Sequence, residues 1–586
     1  MGSMFKKSKR RSLLIGLVWI VGFIIVIGRL FWLQAVDHNK LLAAAKETWI
    51  KEDALRPKRG TVYDRTKQQQ LAWEVDAYYF VADTRQVKDP EKTAKYLAPV
   101  LKIKEDELVK LLSKDSDSVE LRYNGKYKYP KETLNQVESL KKDGLIQGIY
   151  AFPTFMRQYN GTMAAHVLGF LRYDDTAVGG IEEYYDPWLR GKEGYIKYLK
   201  ARNGVMVTDQ PEKNQPPQHG KDLVLTIDSR IQHQVELELD EAIKTHEAKG
   251  GTAIVADPKT GEILAMASRP TFDPNRYAET LSDENSINRA VQSQFEPGST
   301  FKIVTLAAAI EEGIFNPDQT YPSGSIRVDD RVIHDWNGSG WGNITFRDGI
   351  KLSSNVAFVI LGQKLGAQKL TDYINRFGFG NITEQYGKKT GIDLPAEGRG
   401  YFFGRNLYAT ELATTSFGQG ISVTPIQQVA AVSAIANGGV WKTPHIMKSI
   451  WEPGLKKEVK SFQPESRRIV KESTAKQVRE LLRGVVQNGT GVEADLPGYG
   501  VAGKTGTAQK PDPDGGYMEN QYIVSFVGFA PYDKPEVVVY VAIDEPSSSK
   551  NATGGTVAAP IAREIMKKSL QIRQVQPNDK FAETIK

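Results

Sequence analysis

Cysteine is absent from the 586 residues, and histidine is scarce, with only seven copies. Without cysteine the chain cannot form disulfides, thiolate nucleophiles, cysteine-bound zinc sites or iron–sulfur clusters. No two histidines have the His-Glu-x-x-His spacing that puts two metal ligands on one helix face. The excess of 77 basic over 70 acidic residues is small and forms no basic stripe. We therefore expect no metal, no cofactor and no nucleic-acid partner.

The rest of the composition is that of a globular protein. Hydrophobic residues make up 40% and charged residues 25% of the chain, enough apolar surface for packed cores. The length predicts about three or four structural units rather than one compact core.

One long hydrophobic run lies near the N-terminus. Met1-Gly2-Ser3 ahead of a second methionine resembles a cloning remnant and is left out of the interpretation. Residues 13–35 are apolar over enough length to span a bilayer. The basic residues ahead of the run are Lys6, Lys7, Lys9, Arg10 and Arg11. Positive charge stays on the cytoplasmic side, so residues 1–12 are predicted to be cytoplasmic and everything after the span extracytoplasmic.

Two alternatives remain for this segment. A cleaved signal peptide would be shorter and would carry an Ala-x-Ala site, so a retained single-pass anchor is favoured. Arg29 interrupts the apolar run, and it either extends to the membrane surface or meets a partner helix.

The chain beyond the membrane segment divides at a proline-rich, polar stretch, residues 209–220, which is predicted to hold no regular element. Before it, residues 36–218 form a mixed region with helices over 89–97 and 131–142 and a strand over 78–82. After it, residues 219–572 form a second domain. Residues 573–586 are a polar tail.

The second domain is predicted to be α+β. Ile231, Val235, Leu239 and Ile243 recur every four residues, as on one face of a buried helix. A strand over 222–227 precedes this helix, and a hairpin over 251–267 follows it. Residues 299–439 read as largely helical, strands follow over 522–529 and 537–543, and a helix closes the domain over 558–570. This order favours one antiparallel sheet covered by helices.

Without cysteine or paired histidines, a serine three residues before a lysine on a helix is the natural nucleophile pattern, because the amine can then act as base. The pattern occurs four times beyond the remnant, at Ser139/Lys142, Ser299/Lys302, Ser473/Lys476 and Ser547/Lys550. Ser139 lies in a charged run, Ser473 is predicted to cap a helix with an apolar face, and Ser547 lies in a loop. Ser299 alone precedes an apolar helix that would bury the pair, and burial lowers the pKa of lysine.

Two further motifs follow Ser299 along the sequence. Lys-Thr-Gly occurs at Lys259, Lys389 and Lys504, and only Lys504 lies in an alternating run of small residues, as in a strand that a ligand approaches closely. Such a sheet edge can pair with an extended peptide. Ser-x-Asn occurs at Ser286, Ser353 and Ser549, and only the copy at Ser353 stands between Ser299 and Lys504.

The three motifs Ser299-Thr-Phe-Lys302, Ser353-Ser-Asn355 and Lys504-Thr-Gly506 resemble, in this order, the active-site motifs of penicillin-binding proteins and serine β-lactamases. Residues 59–65 and 164–169, together with Gly180-Ile-Glu182, resemble the pedestal signatures of class B penicillin-binding proteins. Residues 417–420 with Thr424-Pro425 resemble a further family segment. The likeness runs from the membrane segment to about Leu570, with no glycosyltransferase domain before the pedestal and no repeated small domain after the last helix.

The resemblance implies a monofunctional peptidoglycan D,D-transpeptidase. It implies a transmembrane helix, an elongated, non-catalytic pedestal of the dimerisation type, and a transpeptidase domain. The implied catalytic residues are Ser299 as nucleophile, Lys302 as proton acceptor, Ser353 as proton relay, Asn355 as a substrate hydrogen-bond partner, and Lys504 as a positive field. Thr505, Gly506 and Thr507 would bind substrate, and the N–H groups of Ser299 and Thr507 would form the oxyanion hole. Arg59, Asp64 and Arg65 are expected to brace the pedestal, and His166 to be structural.

The same resemblance implies partners: peptidoglycan stem peptides on glycan derived from lipid II, β-lactam antibiotics, and a glycan polymerase of the SEDS family. That polymerase would contact residues 13–33 and the pedestal around residues 59–65. A D,D-carboxypeptidase and a β-lactamase or penicillin sensor share the motifs and stay as alternatives. A non-catalytic scaffold is disfavoured because Ser299, Lys302 and Lys504 are all present.

Overall fold

The structure is a computed structural model, and it describes residues 2–41, 50–116, 118–122, 125–199, 213–380, 388–454, 457–547 and 552–581. Its helices are α1 (Gly2–Phe31), α2 (Pro90–Leu101), α3 (Glu105–Leu112), α4 (Lys131–Lys142), α5 (Ala165–Leu168), α6 (Gly180–Tyr184), α7 (Asp186–Leu189), α8 (Ser229–Thr245), α9 (Tyr277–Thr280), α10 (Lys302–Glu311), α11 (Phe346–Lys351), α12 (Asn355–Phe377), α13 (Ala409–Ser416), α14 (Pro425–Ala436), α15 (Glu472–Asn488) and α16 (Ala559–Ile572). Its strands are β1 (Ile50–Leu55), β2 (Val62–Tyr63), β3 (Gln70–Ala82), β4 (Val119–Glu120), β5 (Tyr129–Pro130), β6 (Ile149–Tyr159), β7 (Phe170–Leu171), β8 (Ala177–Val178), β9 (Gly194–Leu199), β10 (Lys213–Gln215), β11 (Asp222–Leu225), β12 (Gly250–Ala256), β13 (Ile263–Arg269), β14 (Thr320–Pro322), β15 (Ser325–Val328), β16 (Arg331–His334), β17 (Asn343–Thr345), β18 (Val440–Lys442), β19 (Met447–Glu452), β20 (Lys457–Ser461), β21 (Ser466–Arg468), β22 (Ala502–Pro511), β23 (Tyr517–Ala530) and β24 (Val537–Asp544).

The chain divides into two compact units. The first comprises Met1–Lys58 and Gly191–Gly220. Its helix α1 contains the predicted span, and Lys9–Val36 is long and apolar enough to cross a membrane. Most of the large apolar residues of this stretch, Ile20 and Ile24 among them, are more than half exposed, as expected for a surface that lipid would cover.

A three-stranded antiparallel sheet, in the order β1-β9-β10, completes this first unit. The prediction that residues 209–220 hold no regular element is therefore wrong for Lys213–Gln215, while residues 209–212 lie outside the described residues. The strand ends just before Pro216, which has no N–H to donate. Gly194 on the facing strand makes the close approach possible, because a Cβ there would lie 2.2 Å from the Gln215 carbonyl oxygen.

The second unit comprises Arg59–Arg190 and Lys221–Lys586, and its first half is the pedestal region. The long strands β3 and β6 pair antiparallel over eleven residues of register, from Ala72 opposite Tyr159 to Ala82 opposite Ile149. Helices α2 and α4 confirm the two predicted helices. Asp89 caps α2 by accepting a hydrogen bond from the Lys92 N–H. The boundary expected between residues 218 and 219 stays a prediction.

A buried ion cluster joins separate parts of the pedestal region. Both oxygens of the Glu182 carboxylate are bound, one by Arg59 Nε at 2.7 Å and the other by Arg157 Nε at 2.6 Å, and Arg59 also reaches Asp186 at 2.6 Å. Glu182 is 0% exposed, so its buried negative charge is balanced by the two arginine side chains that bind it. The predicted bracing role of Arg59 is confirmed.

Three further pedestal residues have structural partners, as expected. Asp64 accepts a hydrogen bond from the Ser229 hydroxyl, and Arg65 pairs with Glu262. His166 is buried, with its Nε2 2.8 Å from the Asn285 carbonyl oxygen.

The larger part of the second unit, Lys221–Lys586, contains a five-stranded antiparallel sheet in the order β13-β12-β24-β23-β22. Alternate residues of β24 face opposite sides, as the two-residue period of a strand requires. Val537, Val539 and Val541 pack with helices α8 and α16 on one face, and Val538 and Tyr540 pack with α10 and α14 on the other. The predicted α+β class, hairpin, paired strands and closing helix are confirmed.

Two predictions about Lys221–Lys586 need correction. Residues 299–439 were predicted to be largely helical, and they hold helices α10 to α14 but also four short strands between residues 320 and 345. The chain turns back on itself there, and its backbone segments lie so close that a Cβ on Gly340 would be 2.3 Å from the Gly324 nitrogen. Ser473 does not cap a helix, because α15 begins at Glu472. Glu311 of α10 binds the helix start instead, accepting hydrogen bonds from the Lys471 N–H and the Thr474 hydroxyl.

Candidate active site

Ser299 lies on a single 3₁₀ turn, Gly298–Phe301, that leads directly into α10. Ser299 is half-buried. Gly298 has a φ of +55° and donates its N–H to the Gly418 carbonyl at 3.0 Å. Gly418 must be a glycine here, because a Cβ would lie 2.1 Å from the Gly298 carbonyl oxygen. The segment around Gly418 thus fixes the turn that presents Ser299.

Lys302 is the first residue of α10, and its side chain is almost completely buried, at 1% exposure. Its Nζ donates to the Ser353 carbonyl and to Asn355 Oδ1, both at 2.8 Å, and lies 3.3 Å from Ser353 Oγ. Within the part of the chain that the structure describes, no hydrogen bond joins Lys302 to the Ser299 hydroxyl. The amine of the first motif is therefore held by the first and last residues of the second motif, Ser353 and Asn355.

The Ser353 motif is a tight connection between α11 and α12. Ser353 has a φ of +59°, an uncommon conformation for a residue with a side chain. Ser354 caps α12 by accepting a hydrogen bond from the Ala357 N–H. Asp335, which is 2% exposed, accepts from the Ser354 hydroxyl at 2.8 Å and from the Val356 N–H at 3.0 Å. Asp335 was not predicted from the sequence, because no known motif links its position to that of Ser354, the serine that it binds.

Lys504 lies on β22, an edge strand of the five-stranded sheet, and is 1% exposed. Its Nζ donates to Ser353 Oγ at 2.8 Å and to the Thr505 carbonyl at 3.1 Å. Thr505 Oγ1 lies 2.8 Å from Thr490 Oγ1, a second residue that sequence reasoning missed. Thr507 is exposed on the strand.

Gly506 lies where β22 passes the nucleophile turn. A Cβ on Gly506 would lie 2.5 Å from Ser525 Oγ, 3.0 Å from the Thr300 side chain and 3.2 Å from the Pro297 carbonyl oxygen. On the same strand, the Thr507 carbonyl oxygen would lie 3.3 Å from a Cβ on Gly298. The strand and the turn are thus in contact, and the oxyanion hole expected from the Ser299 and Thr507 N–H groups stays a prediction.

Burial changes the proton affinity of both lysines. Desolvation, reinforced by the positive charge of Lys504 and partly offset by Asp335, holds the pKa of Lys302 well below its usual range. Desolvation lowers the pKa of Lys504 to about 7. Each lysine therefore loses its proton more readily than a solvated lysine does, and a neutral amine near a serine can act as a base.

The rejected copies of the motifs lie in other surroundings. Ser139 and Ser473 are exposed on α4 and α15. Lys259 lies in the turn between β12 and β13 and pairs with Glu536. Lys389 is exposed, and the copies that involve Ser549 and Lys550 fall outside the described residues. Among the residues that are described, no group of three or more His, Asp or Glu is placed to hold a metal ion.

Comparison with known proteins identifies the family of the chain. The model of the penicillin-binding protein transpeptidase domain matches residues 251–567, and that of the penicillin-binding protein dimerisation domain matches residues 54–225. Stage V sporulation protein D of Bacillus subtilis (strain 168) is 42% identical over 97% of this chain and 86% of its own length. Peptidoglycan D,D-transpeptidase FtsI of Escherichia coli (strain K12) is 30% identical over 97% of this chain and 93% of its own.

A solved structure gives the same result. The crystal structure of penicillin-binding protein 3 from Mycobacterium tuberculosis complexed with aztreonam superimposes with a TM-score of 0.69 at 28% identity, covering 91% of this chain and all of that one. Fold and site together define a penicillin-binding transpeptidase. With both domain models matched and relatives aligned along nearly the whole chain, the chain belongs to the class B penicillin-binding proteins.

Proposed function

We propose that this protein cross-links peptidoglycan by D,D-transpeptidation through an acyl-enzyme on Ser299, and that β-lactams inhibit it by acylating the same hydroxyl. The observation that carries the proposal is the position of Ser353 Oγ, which lies 3.3 Å from Lys302 Nζ and 2.8 Å from Lys504 Nζ. Two amines from motifs far apart in the sequence thus meet at one buried hydroxyl beside the serine turn.

In the first half-reaction the Ser299 hydroxyl attacks the carbonyl between the two terminal D-Ala residues of a stem peptide. Neutral Lys302 accepts the hydroxyl proton, for which its lowered pKa prepares it. The N–H groups of Ser299 and Thr507 bind the oxyanion, a contribution of about 3 kcal/mol for each donor. The peptide bond then breaks, and Ser353 relays a proton from Lys302 to the amine of the departing D-Ala.

In the second half-reaction an amine of a neighbouring stem attacks the ester. Ser299 leaves as the alcohol, the new amide joins two stems, and Lys302 returns to its starting protonation state. Asn355 holds the substrate amide, while Lys504, Thr505 and Thr507 hold the terminal carboxylate before it leaves with D-Ala.

Covalent labelling tests the proposal. Full-length protein is incubated with a fluorescent penicillin, digested, and mapped by mass spectrometry. The label is expected on Ser299 alone and is expected to vanish in Ser299→Ala. Ser473→Ala is the matched control, since Ser473 also precedes a lysine by three residues but is exposed. Label on Ser473, or label retained after Ser299→Ala, would overturn the assignment.

Product analysis separates transpeptidation from its alternatives. With a stem pentapeptide and an amine acceptor, the proposal predicts a cross-linked dimer as the main product. A tetrapeptide as the main product would indicate a carboxypeptidase, and rapid turnover of the penicillin label would indicate a β-lactamase.

We further propose that the N-terminus is cytoplasmic and that α1 binds a glycan polymerase of the SEDS family. The basic residues before the span support this orientation, and Arg29 supports a helix partner within the membrane. The pedestal segment at residues 59–65 offers less surface to a partner, because Arg59 is 7% and Asp64 1% exposed. Tag accessibility at each terminus in intact cells tests the orientation.

A further inference from the structure

A short stretch of chain beside the active site has no role in the mechanism described so far. Strands β15 and β16 form a hairpin in which Ser325 lies opposite His334. The chain continues from there into His334–Trp336, called segment 334–336 below. This segment lies against the tight connection between α11 and α12 that carries Ser353.

All three residues of segment 334–336 are hydrogen-bonded to that connection. The bonds run from Asn355 Nδ2 to the His334 carbonyl at 3.0 Å, from the Ser354 hydroxyl and the Val356 N–H to Asp335 Oδ1 at 2.8 and 3.0 Å, and from Trp336 Nε1 to the Leu352 carbonyl at 2.8 Å. The chain is therefore bound on both sides of Ser353, at the residue before it and at the three residues after it.

Ser353 needs such support because of its backbone. Its φ of +59° lies in the left-handed region, which a residue with a side chain keeps only when the surrounding structure imposes it. The Ser353 hydroxyl is also the point at which the amines of Lys302 and Lys504 meet. A change in this backbone would therefore separate the two amines from the hydroxyl that they share.

Asp335 is the central residue of the segment. Its second oxygen, Oδ2, accepts a hydrogen bond from the Gly324 N–H at 2.8 Å, so the carboxylate joins the start of the hairpin to the start of α12. All three partners of the side chain are donors, so both oxygens act as acceptors, as in an ionised carboxylate. Asp335 is 2% exposed, and little water screens its charge.

The charge of Asp335 acts on Lys302. Lys504 on β22 lowers the pKa of Lys302 and Asp335 raises it, both against the larger effect of desolvation. From α12, Lys302 meets Asn355 and the ring of Phe358, which are both uncharged. For Lys504, in contrast, desolvation is the cause of the lowered pKa. The negative charge of Asp335 thus distinguishes between the two amines.

We propose that Asp335 is a positioning residue of the acylation step, which fixes the backbone around Ser353 through its hydrogen bonds and favours the ammonium form of Lys302 through its charge. The inference rests on the proposed function and adds a residue to its mechanism. Within the described residues no hydrogen bond joins Asp335 to either lysine, so it acts through the connection and through its field. Once Lys302 has accepted the proton of Ser299, it is a buried cation that a nearby anion stabilises.

Asp335→Asn tests the charge and the position together. The side chain keeps its shape but loses its charge, and whichever way the amide lies, its NH2 group faces a donor. Acylation of full-length protein in detergent by a fluorescent penicillin is followed by stopped flow as a function of pH. The rate constant on the plateau is expected to fall about tenfold or more, the scale of lost hydrogen bonds to a charged group.

The pH profile of Asp335→Asn separates the proposed role from a merely structural one. Without the carboxylate the pKa of Lys302 falls further, so the acid limb should move to lower pH by about one unit, the low end of the effect of a nearby opposite charge. The alkaline limb should stay in place, because desolvation sets the pKa of Lys504. A loss of fold alone would lower the rate constant without moving one limb selectively.

Two further variants complete the design. Ser354→Ala removes one partner of Asp335 but keeps its charge, so the rate constant should fall about three- to tenfold, the scale of one hydrogen bond, with both limbs in place. Asp330→Asn is the matched control, since Asp330 is an exposed aspartate in the turn between β15 and β16. It should leave the rate constant and both limbs unchanged.

An acid limb that stays in place in Asp335→Asn would overturn the inference, and so would a plateau rate constant that neither Asp335→Asn nor Ser354→Ala lowers. If Asp335→Asn does not fold, an unchanged rate constant in Ser354→Ala still overturns it. Mapping of the label distinguishes the two levels of failure. Wild type without label on Ser299 would overturn the proposed function and this inference with it, whereas label on Ser299 with an unmoved acid limb would overturn this inference alone.

Discussion

Lys302 and Lys504 meet at one serine hydroxyl, and neither has a carboxylate within hydrogen-bond distance among the described residues. In most proteins a buried lysine would be costly without such a partner. Here the cost is reduced because the proton can leave, since burial lowers the pKa of both lysines. The fold therefore buries two amines of lowered pKa at one hydroxyl, and the proposed mechanism uses one as the base and the other as the cation.

Lys302→Ala is expected to slow acylation by penicillin about 100-fold or more, because a positioned proton acceptor contributes roughly 10² to 10⁴ to the rate. Stopped-flow fluorescence with a labelled penicillin measures the rate constant, and thermal unfolding checks that the fold survives. Lys476→Ala on the exposed face of α15 is the control. Acylation at the wild-type rate in Lys302→Ala would mean that another group accepts the proton.

The acylation rate is expected to depend on pH with two limbs. In the proposed mechanism neutral Lys302 is the base, so the rate should fall as the pH drops through its lowered pKa. In the same mechanism the ammonium of Lys504 binds the substrate carboxylate, so the rate should also fall as the pH rises above about 7 and that charge is lost. Lys504→Arg keeps its charge at all these pH values, and the alkaline limb should disappear while the acid limb remains. An alkaline limb that persists in Lys504→Arg would assign it to another group.

The sequence was sufficient to predict which motif copies come together, but not what holds them. Lys302, Ser353, Asn355 and Lys504 form one hydrogen-bonded cluster, as their order along the chain predicted. Asp335 could not be found in this way, since a buried carboxylate that binds a serine hydroxyl and a helix N–H needs only proximity in space. From the sequence alone, any aspartate or glutamate of this chain could have been the carboxylate that binds this serine.

Among the secondary-structure elements, β22 is constrained by close backbone packing. The start of the last helical segment presses on it at Gly554, where a Cβ would lie 2.3 Å from the Gly506 carbonyl oxygen and 2.4 Å from that of Ser525. Both neighbours are backbone atoms, so neither can rotate away as a side chain could. The position of the Lys-Thr-Gly strand thus depends on a glycine nearly fifty residues later.

Gly554→Ala is therefore expected to lower the free energy of unfolding by about 1 to 3 kcal/mol, the usual cost of overpacking, and to slow acylation by displacing β22. Chemical denaturation and penicillin labelling measure the two effects. Gly484→Ala is the matched control: it lies within α15, its nearest neighbour is the Lys351 side chain at 3.5 Å, and alanine there should stabilise by about 0.5 to 1 kcal/mol. Equal effects of the two substitutions would contradict the packing argument.

Element prediction succeeded where one local signal decides the structure. The hairpin of β12 and β13 and the cap of α2 by Asp89 follow from neighbouring residues, and both are as predicted. It failed where a distant partner decides. Lys213–Gln215 is a strand because β9 lies beside it, and α15 begins before Ser473 because Glu311 binds its start. The conformational propensity of the residues in each segment cannot predict either of these distant contacts.

At the scale of the whole molecule, the membrane helix is expected to do more than anchor the chain. Replacing residues 13–33 with an unrelated apolar helix of equal length should leave penicillin labelling of Ser299 intact, because the site is built entirely from Arg59–Arg190 and Lys221–Lys586. The exchange should weaken co-purification with the glycan polymerase, since Arg29 and its neighbours would no longer be available to a partner helix. Arg29→Leu in the native span tests that residue alone. Undiminished co-purification after the exchange would leave α1 as an anchor only.

The pairing of β12 with β24 also sets the order in which a newly made chain can become active. Ala256 faces Val538 across the centre of the sheet, so these partners are 282 residues apart. At about 5 to 20 residues per second, a ribosome needs roughly 15 to 55 s to pass from one to the other. For most of that interval Ser299 has been made, but the central strand that joins β12 to β23 has not. A chain released before residue 537 would carry the nucleophile without its catalytic sheet, so truncation near the C-terminus should abolish the enzyme rather than yield a partly active one.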